Sequence, residues 1–363
     1  MKQRISIDTR TIQPGDIFIP VGDGSKYCDE AIKKGASVLD ISLTEYAIQQ
    51  RQNYQGTVIG ITGSFGKTTL KDTLTAGLSS FGVSATEKNY NNEIGVPLTI
   101  ANADLHHDYW IIEMGIRKPG DMAHLSSIVQ PDIAILSGFG YTHMEFYSQD
   151  IELLKEKLNI ISNKTTTLFI PSNIYCKQDI FSLAKSVDII ECPVDRLIDT
   201  NHIIVKYVAN FLNLNQKMIE ESMDQLERSP HRLNPILLSN NCIILDDSYN
   251  SNPTAVQFSV EFCIENYQNK RILIVLGDME ELGSASESLH KSTYQWVTSQ
   301  KNIQSVITYG KRFLVSSLNF TDHSSLSHYI NTHMHNFDVI LIKGSRSNQL
   351  EKVINHIQTL IAE

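Results

Sequence analysis

The sequence lacks clustered cysteines, long apolar runs and an excess of basic residues. Its five cysteines are scattered and include no Cys-x-x-Cys pair, which argues against a disulfide framework or a zinc site and is typical of reduced thiols in a cytosolic protein. No stretch approaches the roughly 18–20 consecutive apolar residues of a membrane helix, and residues 1–8 contain no apolar run of the kind found in a signal peptide. We therefore expect a cytoplasmic protein without a membrane-inserted segment.

The charge balance is acidic, with 31 basic and 40 acidic residues and a formal net charge of −9. A protein that binds nucleic acid or an anionic membrane generally needs a cationic surface, so neither partner is expected. Small-molecule or peptide substrates therefore remain as the expected binding partners. The chain has 363 residues, of which 41% are hydrophobic and 20% charged, and this is globular composition with enough length for two or three domains.

The order of the sequence patterns divides the chain into three parts. Residues 1–55 form a short opening α/β unit that ends near the polar, glutamine-rich segment Gln49–Gly56, which we interpret as a linker. In residues 56–230, apolar runs bounded by glycine, proline or aspartate alternate with amphipathic helices, which indicates parallel strands covered on both faces. Residues 231–363 show the same alternation, which predicts a doubly wound sheet. A hinge is expected near Arg228–Arg232.

These patterns give bounds for the principal elements. Strands are predicted at Thr57–Thr62, Tyr109–Met114, Asp132–Ser137, Thr166–Pro171, Cys242–Asp247, Arg271–Leu276, Ser305–Tyr309 and Val339–Lys343. Helices are predicted at 67–80, 119–129, 150–163, 203–213, 216–227, 253–266, 286–300 and 347–361.

The most informative segment, residues 57–69, combines a strand, a glycine loop and the start of a helix. In this context two glycines would let main-chain N–H groups surround phosphate oxygens at the positive end of the helix. Lys67 would reach the β- and γ-phosphates, and the Thr68 hydroxyl would bind Mg²⁺. Ile61 stands where the GxxxxGK[ST] pattern has its first glycine. The alternative is a tight turn with an exposed lysine, but the flanking strand and helix favour a phosphate loop comprising Gly63, Ser64, Phe65, Gly66, Lys67, Thr68 and Thr69.

Three further residues converge on this loop. Glu113 ends one predicted strand and His143 follows another, and ligands of open parallel sheets bind beyond the carboxyl ends of strands. Both side chains are candidates for binding a metal ion or a phosphate. The alternatives are that Glu113 caps a helix and that His143 is an ordinary loop histidine. Lys157 falls within the apolar arc of its helix. A lysine there usually extends its amine to water, although a desolvated one can lose its proton and become reactive.

Motifs along nearly the whole chain resemble the Mur ligases of peptidoglycan synthesis, most narrowly the MurF branch. The phosphate loop is common to all Mur ligases and to folylpolyglutamate synthases, whereas the YNSNP, GDMEELG and KGSR segments are more specific. The segments that carry the resemblance are SIDTR (6–10), PGDIF (14–18), GITGSFGKTTLK (60–71), NYNNEIGVP (89–97), EMG (113–115), His143 to Lys157, DDSYNSNP (246–253), LGDMEELG (276–283) and KGSR (343–346).

The resemblance implies a P-loop central domain, a Rossmann-like C-terminal domain that brings the amine substrate, and a reduced N-terminal substrate-side unit. It also implies ATP-dependent joining of a carboxylate to an amine through an acyl-phosphate. In the MurF branch these substrates are UDP-N-acetylmuramoyl-tripeptide and D-alanyl-D-alanine.

Site residues also follow from the resemblance. Lys67 would steady the transferring phosphate, Thr68 and Glu113 would hold one Mg²⁺, and His143 would serve a second with Lys157, carbamylated by CO₂ and so converted to an anionic ligand. Further residues are implied in nucleotide binding (Arg232, Asp247, Asn250 and Asn252) and in substrate binding (Asn89, Asn92, His290, Lys343 and Arg346). Asn252 as a helix cap and His290 as a capping residue are the alternatives.

Two departures from the family motivate other functions. The opening unit is much shorter than a UDP-sugar-binding domain, although residues 23–27 resemble part of it, and the segment around His202 lacks the asparagines expected near adenine. One alternative is a Mur-like ligase with a non-muramyl acceptor. Another is a catalytically silent nucleotide-binding paralogue, against which the complete charged set at the loop argues. A monomer or weak dimer is expected.

Overall fold

The computed structural model describes residues 3–142, 144–194, 199–226, 229–239, 241–313 and 315–362. The chain divides into two compact units. The first unit comprises residues 1–139, 151–194 and 200–226, and the second comprises residues 140–150, 195–199 and 227–363. None of the helices in the described ranges combines the length and the hydropathy needed to cross a bilayer.

The first unit opens with a small parallel sheet in the order β1-β2-β3. Asn102 ties this sheet to the rest of the unit, because its side chain accepts from the amide of Ile5 at 2.9 Å and donates to the Ile5 carbonyl oxygen at 3.0 Å. The elements of the opening segment are β1 (Ile5–Ser6), β2 (Ile17–Phe18), α1 (Cys28–Lys33), β3 (Ser37–Val38) and α2 (Leu43–Asn53).

Helix α2 shows that the predicted linker at Gln49–Gly56 is wrong, because the helix continues to Asn53. Arg51 is only 3% exposed, and its guanidinium donates to the carbonyl oxygens of Val129 and Gln130, both at 2.8 Å. The polar composition that suggested a linker thus includes a buried arginine that satisfies main-chain acceptors. Residues 1–55 belong to the same compact unit as the central sheet, and the three-domain division stays a prediction.

A six-stranded parallel sheet forms the centre of the first unit, in the order β5-β6-β4-β7-β8-β9. All four strands predicted here are confirmed to within one residue at each end. The two missed strands, β5 and β9, are the edge strands of the sheet and are less apolar than the central ones. The elements are β4 (Thr57–Thr62), α3 (Lys67–Gly77), β5 (Val83–Ala85), α4 (Gly95–Asn102), β6 (Tyr109–Glu113), α5 (Asp121–Val129), β7 (Ile133–Leu136), α6 (Asp150–Leu158), β8 (Thr167–Pro171), α7 (Lys177–Leu183), β9 (Asp188–Cys192), α8 (Thr200–Phe211) and α9 (Gln216–Met223).

The second unit contains another six-stranded sheet, in the order β10-β11-β15-β12-β13-β14, in which only β10 is antiparallel among the described strands. The four predicted strands are confirmed to within two residues. Its elements are β10 (Asn234–Leu237), β11 (Ile243–Asp247), α10 (Pro253–Asn266), β12 (Ile272–Gly277), α11 (Ser286–Thr298), β13 (Ile303–Tyr309), β14 (Asn319–Phe320), α12 (His323–His333), β15 (Val339–Lys343) and α13 (Glu351–Ala362).

Two apolar clusters show that this sheet is doubly wound, as predicted. Val260 of α10 and Val297 of α11 pack on one face, against strand residues that include Ile274. Leu326 of α12 and residues of α13 pack on the other face, against strand residues that include Val275. Neighbouring residues of β12 therefore contribute to opposite layers, because successive side chains of a strand point to opposite faces of the sheet.

Candidate active site

The glycine loop between β4 and α3 is closed against the end of β7. Gly63 has a φ of 154°, and a Cβ atom there would overlap the Ser137 hydroxyl and lie 2.9 Å from the carbonyl oxygen of Gly138. The Ser64 amide donates to that carbonyl at 2.8 Å, and the Ser137 hydroxyl donates to the Phe65 carbonyl at 2.6 Å. Glycine is required at this position because the loop main chain approaches the neighbouring strand so closely.

Helix α3 begins at Lys67, directly after Gly66, whose φ of 77° is readily adopted only by glycine. The side chain of Lys67 folds back over the loop, and its Nζ donates to the carbonyl oxygen of Gly63 at 2.8 Å. The positive end of a helix and a lysine ammonium therefore lie at one loop, the combination that binds phosphate.

Glu113 ends β6 beside this loop, as the sequence predicts. The carboxylate is 1% exposed, and its Oε1 accepts from the Thr68 hydroxyl at 3.1 Å. Its Oε2 is buried and has no hydrogen-bond partner among the described residues. A buried carboxylate oxygen without a partner is costly. A cation at Oε2 would satisfy it.

Asn91 completes the surroundings of Glu113, and sequence reasoning missed it. Its Nδ2 donates to Glu113 Oε1 at 2.6 Å, and its carbonyl oxygen accepts from the Gly115 amide at 2.7 Å. The NYNNEIGVP segment pointed to this loop, but the predicted substrate residues were Asn89 and Asn92. Both of these residues are exposed. The Oδ1 atom of Asn92 accepts a hydrogen bond from the Gly95 amide at 2.9 Å, at the start of α4.

Lys157 is confirmed in the apolar face of α6, but its amine does not reach water. The side chain is 2% exposed, and Nζ donates to the carbonyl oxygen of Gly63 at 3.2 Å. Desolvation, together with the nearby charge of Lys67, holds the pKa of Lys157 well below its usual range. The neighbouring Glu156 is buried too, but its Oε1 accepts from the Met122 amide at 2.8 Å at the start of α5.

The oxygen donors at Glu113 and Thr68 fit a hard divalent cation, which prefers carboxylate, hydroxyl and water ligands. In the described part of the chain, no group of three or more histidine, cysteine, aspartate or glutamate residues is positioned as a metal cage. A cation held by one carboxylate and completed by water and phosphate oxygens, as Mg²⁺ prefers, needs no such cage. His143, the predicted partner of Lys157, lies outside the described residues.

In the second unit, the structure joins two predicted site residues directly. Lys343 at the end of β15 forms a buried ion pair with Asp247 at the end of β11, with 2.6 Å between Nζ and Oδ2, and donates to the Asn250 carbonyl oxygen at 3.0 Å. Ser259 of α10 also donates to Asp247 Oδ2, at 2.6 Å. These contacts satisfy the lysine and the carboxylate within the domain.

The remaining predicted residues of this unit have varied environments. The guanidinium of Arg232 lies 4.0 Å from the centre of the Tyr249 ring. Asn252 caps α10, because its Oδ1 accepts from the Ala255 amide at 2.8 Å and Pro253 occupies the first turn. Arg346 pairs with a glutamate of α13 at 3.0 Å. For Asn252, the helix-cap alternative is therefore observed.

His290 on α11 is completely buried, and both of its ring nitrogens contact the main chain. Nε2 is the acceptor for the Met279 amide at 2.9 Å, and Nδ1 lies 2.7 Å from the carbonyl oxygen of Ser286, to which it donates. Burial lowers the pKa of His290. This geometry matches the capping alternative, because the ring of His290 binds the main chain of the GDMEELG segment through the Met279 amide. Neither ring nitrogen is left to bind a substrate.

Comparison with known proteins agrees with this architecture. A family model described as the Mur ligase middle domain matches residues 61–190, and one described as "Mur ligase, glutamate ligase domain" matches residues 231–346. The UDP-N-acetylmuramoyl-tripeptide–D-alanyl-D-alanine ligase of Bacillus subtilis is 26% identical over 425 aligned positions, which cover 97% of this chain and 92% of that protein.

Two solved structures share the fold. A crystal structure of MurF from Acinetobacter baumannii has a TM-score of 0.87 at 22% identity, covering 98% of this chain and 93% of that one. The structure of MurF from Thermotoga maritima in complex with ADP has a TM-score of 0.84 at 22% identity, covering 99% of this chain and 98% of that one.

A phosphate loop at the end of a parallel strand, with a carboxylate and a hydroxyl beside it, defines a phosphate-loop α/β enzyme. The chain belongs to the Mur ligase family. The match to the Bacillus subtilis ligase spans 425 positions although this chain has 363 residues, so that relative carries segments that are absent here.

Proposed function

We propose that this protein is an ATP-dependent ligase that joins D-alanyl-D-alanine to UDP-N-acetylmuramoyl-tripeptide in the cytoplasm, a step of cell-wall peptidoglycan synthesis. The observation that carries the proposal is the match along 97% of the chain to a ligase that bears this name. The intact phosphate loop supports it, and the related fold seen with ADP supports ATP as the nucleotide.

The proposed reaction has two steps. An oxygen of the acceptor carboxylate bonds to the γ-phosphorus of ATP, the bond from that phosphorus to the bridging oxygen breaks, and ADP leaves. The amine nitrogen of the second substrate, in its neutral form, then bonds to the acyl carbon. Phosphate leaves from the resulting tetrahedral intermediate and the nitrogen releases a proton.

The described residues supply charge and position for the first step. Lys67 and the amides at the start of α3 would bind the phosphates, and the lysine would stabilise charge as it develops on the transferring group. Glu113 and Thr68 would hold a divalent cation, with Asn91 orienting the carboxylate. When bound, that cation would reduce the repulsion between the acceptor carboxylate and the γ-phosphate.

We propose further that Lys157 is carbamylated. A neutral amine attacks CO₂ and releases a proton, and the burial that lowers the pKa of Lys157 favours this neutral form. The product is an anion, so it would pair with Lys67 where two ammonium groups would repel. With His143 it would serve a second cation.

The main alternative retains the chemistry and changes the acceptor. It is favoured by the opening segment, whose three strands contain two residues each, a small surface on which to bind a UDP-sugar. A silent nucleotide-binding paralogue is the other alternative.

The decisive experiment measures ADP release with a panel of acceptors and amines and identifies the product by mass spectrometry. We expect release to require both UDP-N-acetylmuramoyl-tripeptide and D-alanyl-D-alanine. The Lys67→Ala variant should lose this activity, whereas Lys164→Ala, a matched change at an exposed lysine, should retain it. Turnover with only a different acceptor would favour the first alternative, and nucleotide binding without turnover of any pair would favour the second.

A further inference from the structure

Helix α3 carries a second lysine, Lys71, one turn after Lys67. Its side chain is buried, at 6% exposure. The Nζ atom donates to the carbonyl oxygen of Thr86 at 3.0 Å and pairs with the carboxylate of the neighbouring Asp72. Burying an ammonium carries a desolvation cost that an apolar side chain of similar size does not have. Packing alone therefore does not account for a lysine at this position.

The carbonyl oxygen that Lys71 binds is diverted from the sheet. Thr86 directly follows β5, and its amide still donates to the carbonyl oxygen of Ile111 on β6 at 3.0 Å. The next bond of a regular parallel ladder would join the Glu113 amide to the Thr86 carbonyl oxygen. Instead, the Glu113 amide donates to the Thr86 hydroxyl at 2.9 Å. The ladder therefore ends where Lys71 takes the carbonyl oxygen and the hydroxyl of Thr86 replaces it.

These contacts join the three segments that build the cation site. Thr68 and Lys71 lie on one face of α3, because residues three apart on a helix are neighbours. Thr86 begins the segment that leads from β5 to Asn91, whose Nδ2 donates to Glu113 Oε1 at 2.6 Å. The Thr68 hydroxyl donates to the same oxygen at 3.1 Å. One buried ammonium thus connects the helix to both the strand end and the loop.

We propose that Lys71 is a positioning residue for the cation site. Its ammonium holds the carbonyl oxygen of Thr86, whose hydroxyl holds the main chain of Glu113. The carboxylate is thereby kept beside the Thr68 hydroxyl, so that one divalent cation can bind to both. This inference rests on the proposed function for the nucleotide and the cation, but it concerns binding and is measured without turnover.

The test measures binding of AMPPNP, a non-hydrolysable ATP analogue, to the full chain by calorimetry, first in EDTA and then over a series of Mg²⁺ concentrations. We expect Mg²⁺ to raise the affinity of the wild type for the analogue. The Mg²⁺ concentration that gives half of this increase should rise on the order of 10- to 100-fold in Lys71→Met. The affinity in EDTA should stay at the wild-type value, because Lys67 and the loop amides are unchanged. A lysine that only stabilised the loop and α3 would affect the affinity in EDTA as well.

Two substitutions at Thr86 test the route by which Lys71 acts. Thr86→Val retains the shape of the side chain, removes the hydroxyl and should raise the Mg²⁺ requirement as Lys71→Met does. Thr86→Ser retains the hydroxyl and should behave as the wild type. Because the two residues act in one series of contacts, the double variant of Lys71→Met and Thr86→Val should be no worse than the more impaired single variant.

Thr73→Val is the matched control for the loss of a buried hydroxyl. Thr73 is a buried threonine of α3, and its hydroxyl donates to the carbonyl oxygen of Thr69 within the same helix at 2.8 Å. Since this contact does not reach β5 or β6, the substitution should leave the Mg²⁺ requirement unchanged.

The outcomes separate this inference from the proposed function. A protein that binds the analogue but joins no acceptor to an amine would refute the proposed function, and the Mg²⁺ series would still decide the inference. The inference is overturned if Mg²⁺ does not raise the affinity of the wild type, or if Lys71→Met needs no more Mg²⁺ than the wild type. It is also overturned if Lys71→Met weakens binding equally in EDTA, or if Thr86→Val keeps the wild-type Mg²⁺ requirement.

Discussion

Lys67 and Lys157 donate hydrogen bonds to one oxygen, the carbonyl of Gly63, at 2.8 and 3.2 Å. Two ammonium groups that share an acceptor repel each other, and Lys157 is the more deeply buried of the two. Burial first, and the charge of Lys67 second, lower the pKa of Lys157. Burial beside Lys67 therefore favours the neutral form of the Lys157 amine.

Replacing Lys157 with methionine should stabilise the protein at neutral pH. The unfolded lysine holds its proton up to about pH 10.4, whereas burial lowers the pKa of Lys157 in the folded state, so folding costs free energy below that pH and the cost decreases as pH rises. We expect Lys157→Met to raise Tm by a few degrees at pH 7 when CO₂ is excluded, and the difference to decrease toward pH 10. Lys155→Met, at an exposed position on the same helix, should show no such trend. A lower Tm for Lys157→Met would contradict a net cost of burying the Lys157 amine.

Carbamylation of Lys157 should be visible without an activity assay. With ¹³C-bicarbonate, the wild type should give a carbamate resonance in the ¹³C spectrum that Lys157→Met lacks. Activity should decrease when CO₂ is removed and return when bicarbonate is added. A wild-type spectrum without this resonance, in an enzyme that is active without CO₂, would exclude the modification.

Asn91 should position Glu113 for its cation. Substituting alanine removes the 2.6 Å hydrogen bond to Oε1, and we expect the Mg²⁺ concentration for half-maximal activity to rise on the order of 10- to 100-fold. Asn215→Ala is the control for stability alone. It removes the side chain that caps α9 at a cost of about 1 kcal/mol and should leave the Mg²⁺ dependence unchanged. Equal Mg²⁺ dependence in both variants would show that Asn91 is not a positioning residue.

The pair formed by Asp247 and Lys343 should behave as a buried ion pair. Lys343→Met leaves the carboxylate buried with Ser259 as its remaining side-chain donor among the described residues and should cost about 3–5 kcal/mol of unfolding free energy. The double variant with Asp247→Asn should recover most of that loss, because no charge is then left without a partner. Urea denaturation of the two single variants and the double variant measures the coupling, and additive losses would show that the two residues do not interact.

His290 should make stability depend on pH. Burial lowers its pKa in the folded protein, so below about pH 6.5 the unfolded chain binds a proton that the folded chain excludes, and stability falls as pH decreases. His290→Gln should flatten this dependence, because an amide oxygen can accept from the Met279 amide without titrating. His335→Gln, at an exposed histidine, should leave the slope between pH 5 and 7 as it is in the wild type. A wild-type slope that persists in His290→Gln would assign it to other groups.

Much of the site was predictable because its residues lie at strand ends that the sequence marks clearly. The apolar runs ending at Thr62 and Glu113 predict parallel strands, and the carboxyl ends of such strands share one edge of a sheet. Asn91 could not be distinguished from Asn89 and Asn92, because the three lie in one loop and only its folded path aims one amide at Glu113. For His290, the motif nearby suggested substrate contact, whereas burial assigned both ring nitrogens to the main chain.

The sequence by itself determined the eight principal strands in their order along the chain, the phosphate loop and its lysine, because hydrophobic periodicity and the backbone freedom of glycine are local properties. Only the tertiary structure decided that Arg51 is buried in a helix where a linker was expected, that Lys157 is desolvated beside Lys67, and that Asp247 pairs with Lys343. These outcomes depend on which distant segments exclude water from a polar group, and burial of that kind arises from packing between residues far apart in the chain.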